Sequence, residues 1–155
     1  MIACVQRVAE AWVRVGEEEI GRIGKGMLVL LGVEKGDGDA EADWLASRIA
    51  GLRIFEDSEG RMNLDLLQVG GSALVVSQFT LAGDCSRGRR PGFEKAALPQ
   101  DAERLYGRFC EALRKTGVRV ETGRFAARMH VGLINEGPVT FIVDRKARGG
   151  GVGAV

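Results

Sequence analysis

The sequence predicts an α+β fold: a mixed, barrel-like β-sheet with two helices in a single compact domain. Three observations lead there. Short apolar or alternating runs recur from the first residues into the last third of the chain, each closed by turn residues. Two segments, 40–52 and 99–115, instead carry apolar residues at helical spacing. Finally, 23 glycines stand against three prolines, about twice the ordinary glycine share, which suits many tight turns. The 155 residues fit one domain. We divide them into a folded part, 1–144, and a flexible glycine-rich tail, 145–155.

Ile2 to Val8, Ala11 to Val15 and Glu19 to Ile23 read as strands. Met27 to Val33 is a continuous apolar run suited to a buried central strand. Gly36 to Asp39 is a loop whose last residue, Asp39, is a candidate N-cap. The first helix follows, with Trp44, Leu45, Ile49 and Leu52 on one face. Arg53 to Phe55 and Met62 to Leu64 form a small hairpin about the turn Asp57 to Gly60. Gly70-Gly71 introduces a second buried strand, Ser72 to Phe79, and Ala82 to Pro91 is a loop rich in glycine and arginine. The second helix runs from Pro99 to Lys115, with Ala102, Leu105, Phe109, Ala112 and Leu113 inward and Gly117 as its C-cap glycine. Val118 to Val120, Ala127 to Ile134 and Val139 to Val143 complete the strands.

A net charge of +1 predicts no global attraction to nucleic acid or membrane. Basic residues gather locally, at Arg87, Arg89 and Arg90 and again at Arg145, Lys146 and Arg148. Cys4, Cys85 and Cys110 are odd in number and widely spaced, and the N-terminus has no targeting pattern. Reduced thiols and a soluble, cytoplasmic protein are expected. No apolar run reaches bilayer-spanning length. His130 is the only histidine, so histidine triads and multi-histidine metal sites are excluded. The cysteines lack ligand spacing and no glycine motif opens a helix after a strand. No cofactor or metal is expected.

Two polar segments interrupt apolar strands. Asn135-Glu136-Gly137-Pro138-Val139-Thr140 lies between two of them. Proline fixes its own φ, donates no N–H and makes a cis bond accessible, so this corner aims carbonyls where a regular strand cannot. Ser77-Gln78-Phe79-Thr80 ends another strand with two hydroxyls, an amide and backbone N–H groups suited to a developing oxyanion. Without a base beside them, these hydroxyls point to binding and polarisation rather than covalent catalysis.

With Met1 to Val8, these segments give the chain its resemblance to the bacterial D-aminoacyl-tRNA deacylases. Gly88-Arg89-Arg90-Pro91-Gly92-Phe93 resembles that family's basic loop, and the likeness runs from Met1 to about Val143. The resemblance implies an enzyme that hydrolyses the ester of D-aminoacyl-tRNA, and glycyl-tRNA too. It implies a homodimer in which a cis Gly137–Pro138 corner enters the partner's site and holds the substrate's ammonium group through two carbonyls. Arg7 would steady that corner. Ser77, Gln78, Phe79 and Thr80 would surround the ester, and Phe125 and Met129 would pack on the terminal adenosine. Two other readings remain open: an editing deacylase for a small L-aminoacyl-tRNA with a trans Gly-Pro bond, and a dimeric RNA-binding module without catalysis.

Overall fold

A computed structural model describes residues 1–145. The tail expected from residue 145 lies, from 146 onward, outside the described residues. The elements in chain order are β1 (Ile2–Val15), β2 (Glu18–Ile23), β3 (Gly26–Gly32), α1 (Asp39–Ala50), β4 (Phe55–Glu56), β5 (Met62–Leu64), β6 (Ser72–Ser77), α2 (Pro99–Lys115), β7 (Arg119–Thr122) and β8 (His130–Asp144). A short 3-10 turn, Phe79–Ala82, follows β6. The six-stranded sheet runs β2-β1-β3-β6-β7, with β8 on the other side of β1, and β4-β5 is a separate hairpin. β1 is antiparallel to β2, β3 and β8, whereas β3–β6 and β6–β7 are parallel. The mixed sheet expected from the sequence is therefore present.

Curvature nearly closes it. A Cβ on Gly21 of β2 would stand 2.8 Å from the Thr122 carbonyl oxygen of β7, so the two ends of the sheet meet where only a glycine fits. Two cores result. Leu74 and Val76 of β6 join Val8, Val13, Ile23 and Leu28 inside the curl. Their strand neighbours Ala73 and Val75 face the helices, against Leu45, Ile49, Leu105 and Phe109. This is the period of two expected of a strand buried on both faces.

The helices follow their apolar periodicity. α1 buries Ala42, Leu45, Ala46 and Ile49, and α2 buries Ala102, Leu105, Tyr106, Phe109, Cys110 and Leu113. Tyr106 and Cys110 extend the inner face of α2 beyond the apolar residues expected there, while Ala112 sits only partly buried beside the core. Burial pushes the Cys110 thiol up to about 11, leaving it an uncharged packing group. Two other expectations need correction. The N-cap of α1 is Gly38 rather than Asp39, and the Gly38 N–H donates to the Glu41 carboxylate at 2.9 Å. Trp44 lies at the surface, 36% exposed, with the Arg145 guanidinium 4.7 Å above its ring.

Longer strands replace two pairs of short ones. β1 continues from Ile2 to Val15, and β8 runs from His130 through the Gly-Pro pair to Asp144. They pair along their lengths, with register breaks between Gln6 and Val8 and between Val8 and Glu10. The breaks act as bulges that move side chains to the other face. Ala3 and Val5 accordingly face the helices, whereas Ala11 and Val13 face the inside of the curl.

Candidate active site

At the end of β6 the chain leaves the sheet. The Gln78 N–H donates to the Leu31 carbonyl at 2.8 Å, extending the parallel ladder by one residue. Phe79 then starts the 3-10 turn, in which the Leu81 N–H donates to the Gln78 carbonyl. The leading N–H groups of such a turn, those of Phe79 and Thr80, have no partner within it. Of the backbone donors in the Ser77 to Thr80 segment, the Gln78 N–H is thus committed to the sheet. The Gln78 side-chain amide donates to the Thr80 hydroxyl and holds the two side chains together.

Beside this strand end lies a cavity of about 510 Å³. Ser77, Gln78 and Phe79 line one wall, Phe125, Met129 and Val131 another, and Pro99 and Ala102 of α2 close a third. The size and mainly apolar lining suit a small ligand such as a nucleoside. Its Phe125 wall is braced from below. The Tyr106 hydroxyl donates to the Val75 carbonyl at 2.7 Å, the Gly123 N–H donates to the same oxygen at 3.1 Å, and the Tyr106 ring lies 6.1 Å from that of Phe125. Burial pushes the Tyr106 hydroxyl above its ordinary pKa, so it remains a donor. Met129 is set by a close approach: its sulfur would stand 2.7 Å from a Cβ on Gly123 and accepts the Arg124 N–H at 3.4 Å.

Two further residues shape the cavity, one lining it and one backing its Phe79 wall. Ala126, which lines it, has φ +60, an uncommon value for an alanine and one that marks a fixed bend. Phe93 packs on Phe79 with ring centroids 5.1 Å apart. Composition carries no signal for either, since a left-handed alanine and a contact across a loop depend on the assembled chain.

Arg7, Gly137 and Pro138 form a second group, apart from this cavity within one chain. The Gly137–Pro138 bond is cis. Neither residue enters the β1–β8 register, which resumes at Asn135 opposite Val8 and at Thr140 opposite Gln6. Between these points the corner bulges out opposite Arg7. Arg7 is 5% exposed. Its Nε donates to the Glu136 carbonyl at 3.1 Å and its Nη1 to the Ile54 carbonyl at 2.8 Å, while Nη2 lies 3.6 Å from the Glu56 carboxylate. Asn135 ties the two sides of the corner, accepting the Val139 N–H at 3.2 Å and donating to Thr140 at 3.1 Å. Among the described residues no three metal-ligating side chains cluster.

Fold and cavity define a class, a single α+β domain with a mainly apolar cavity beside the end of a central strand. A solved structure described as c-Myc DNA unwinding element binding protein shares the fold with a TM-score of 0.89 at 40% identity, over 95% of this chain and 100% of that one. Another, described as a "probable eukaryotic D-amino acid tRNA deacylase", has a TM-score of 0.81 at 20% identity and a likeness of fold alone, over 93% and 98% of the two chains. A protein of Geobacter sulfurreducens named D-aminoacyl-tRNA deacylase is 57% identical over 148 residues, 96% of this chain and 97% of that protein. One of the same name from Symbiobacterium thermophilum is 58% identical over 142 residues, 92% and 94% of the two chains. The model of the D-Tyr-tRNA(Tyr) deacylase family matches residues 4–144, and the chain belongs to that family.

Proposed function

We propose that this chain, as a D-aminoacyl-tRNA deacylase, hydrolyses the ester between a D-amino acid and the 3′-terminal adenosine of tRNA, releasing free amino acid and tRNA. The observation that carries the reading is the cavity beside Ser77 to Thr80, an apolar slot next to free backbone donors. In it the adenine lies between Phe125 and Met129, where stacking tolerates any base. The ester carbonyl faces the Phe79 N–H, which stabilises the oxyanion as water attacks. The C–O bond to the ribose 3′ oxygen breaks, and that oxygen leaves as the alcohol. No histidine serves as base, so the ribose 2′-hydroxyl orients the attacking water and relays its proton. Ser77, Gln78 and Thr80 position these groups.

Chirality is read by the Gly137-Pro138 corner. Its carbonyls accept hydrogen bonds from the substrate's α-ammonium group, which fixes the stereocentre. An L side chain then meets the corner, whereas a D side chain points away and glycine has nothing to be rejected. The corner does not line the cavity of its own chain, so a second copy supplies it. Ile134, Phe141 and Ile142 on β8, which carries the corner, are exposed, and a second copy covers them. Sedimentation of the purified chain is expected to give a dimer. A fully active monomer at assay concentration would exclude a site shared between copies. The setting consistent with this role is the cytoplasm, and no helix among the described residues is long and apolar enough to cross a membrane.

Deacylation of a matched D/L pair of aminoacyl-tRNAs and of glycyl-tRNA tests the whole scheme. The D and glycyl esters are expected to turn over and the L ester to persist. Thr80→Ala should slow the D substrate about tenfold, in the range of one lost positioning hydrogen bond, and Thr80→Ser should restore it. Preference for the L ester contradicts the stereochemical reading, and an acyl-enzyme trapped on Thr80 contradicts the positioning role. Binding of tRNA without turnover leaves the RNA-binding module instead.

A further inference from the structure

We infer that the loop between Asp84 and Gly92 clamps the phosphate backbone of the RNA just inward of the terminal adenosine, through Arg87, Arg89 and Arg90. The identity of that RNA rests on the deacylase reading above; the anion-binding character of the loop does not.

The loop is a built lobe at the rim of the cavity. Its stem is closed by reciprocal backbone bonds, Asp84 N–H to the Gly92 carbonyl at 2.8 Å and Gly92 N–H to the Asp84 carbonyl at 2.9 Å. The incoming side of the stem follows directly from the 3-10 turn that begins at the cavity wall, Phe79. The outgoing side delivers Phe93, whose ring packs on Phe79 and would lie 3.1 Å from a Cβ on Gly83. Both ends of the lobe are therefore fastened to one wall of the site, and whatever the arginines hold is held beside the cavity mouth.

Charge supplies the second observation. Arg14, Arg22, Arg61, Arg104, Arg108, Arg119 and Arg124 each have a carboxylate within ion-pair distance. Arg48, Arg53, Arg114 and Arg128, which have none among the described residues, are scattered along the chain rather than gathered on one loop. Arg87, Arg89 and Arg90 are exposed, and no carboxylate among the described residues pairs with any of them. The nearest acids in sequence are Glu94, whose carboxylate lies against Gly92 at the stem without reaching these arginines at ion-pair distance, and Asp84, which is engaged elsewhere. It accepts hydrogen bonds from Ser86, which hold its carboxyl below the usual range. Three cations on one closed lobe repel one another, and an external polyanion offsets that repulsion. With a net charge of only +1 the protein has no general field to attract RNA, so a local anchor carries the electrostatic share of binding. An adenosine seated between Phe125 and Met129 leaves through this mouth as a phosphodiester chain. A polynucleotide is thus the anion that the geometry favours.

The experiment compares wild type with Arg87→Gln/Arg89→Gln/Arg90→Gln and with the matching triple lysine variant. Two substrates are used, full-length D-aminoacyl-tRNA and a 3′-O-D-aminoacyl-adenosine that carries no phosphate. Kd for uncharged tRNA is measured in parallel across a KCl series. The glutamine variant should raise KM and Kd for tRNA about tenfold or more and make the log–log salt slope shallower by about 2, given roughly 0.7 per phosphate on a single strand. Lysine should retain most of the affinity, because a phosphate accepts a point charge. Hydrolysis of the aminoacyl-adenosine should not change. Unaltered KM, Kd and salt slope overturn the inference, as does an equal loss on the aminoacyl-adenosine, which would make the loop a brace for the cavity. If wild type hydrolyses neither substrate, the deacylase reading fails while the Kd series still decides the role of the loop.

Discussion

Gly137→Ala is expected to lower kcat/KM for D-aminoacyl-tRNA by about 100-fold or more, the scale of a displacement near 1 Å at a reacting centre. Gly137 has φ +127, a region that costs an L residue roughly 1–3 kcal/mol. There is also no room. The new Cβ would stand 2.7 Å from Val139 Cγ2 and 3.0 Å from the Arg7 guanidinium. Val139 is buried in the core and Arg7 is fixed by two carbonyls, so the corner itself must move. The chain should still fold, because β8 keeps its pairing with β1 on both sides of the bulge. Measuring kcat/KM beside a thermal melt separates the two effects. Activity within a few-fold of wild type would remove the corner from the site.

Arg7→Ala should have the second largest effect, on stability as well as activity. Arg7 donates to both the Glu136 and the Ile54 carbonyls. An unmet buried acceptor costs about 1–3 kcal/mol. The cleft formed by Arg7, Lys25, Glu56 and Gly137 admits water, so we expect the total to stay near 2–3 kcal/mol, at the lower end for two such groups. Losing the fork also frees the Glu136 side of the corner, and the rate should fall about 100-fold, again the scale of a small misplacement. Arg7→Lys makes the sharper test. An ammonium keeps the charge but cannot span two carbonyls in a fixed plane, so it should recover part of the melting temperature and little of the rate. Full recovery by lysine would mean that only a positive charge is needed there. The ion pair with Glu56 adds little, because that carboxylate is mostly exposed.

What was legible in the sequence was what periodicity writes into it. Leu45 and Ile49, then Leu105, Phe109 and Leu113, announced two helices by spacing alone, and the apolar runs of β3 and β6 announced strands buried on both faces. The two polar segments stood out because each broke such a run. Pairing across the chain was hidden. Nothing local says that β8 continues through a Gly-Pro pair, because β1 alone holds the two halves in line. Asp39 looked like the helix cap, but a glycine whose N–H meets Glu41 took that place. The cavity was only half visible: Ser77 to Phe79, Phe125 and Met129 were named, whereas the bend at Ala126, the packing of Phe93 on Phe79 and the brace from Tyr106 to Val75 depend on the assembled chain.

β8 has a further consequence. Because the strand is paired on both sides of the bulge and Asn135 staples its base, the corner is a fixed jig and not a lid. A lid pays its ordering entropy at each turnover, whereas a jig has met that cost once, when the chain folded. If the corner reads chirality as proposed, discrimination by such a part would need no slow closing step before chemistry. On the proposed reading, rejection of the wrong enantiomer by such a part would set no ceiling on throughput.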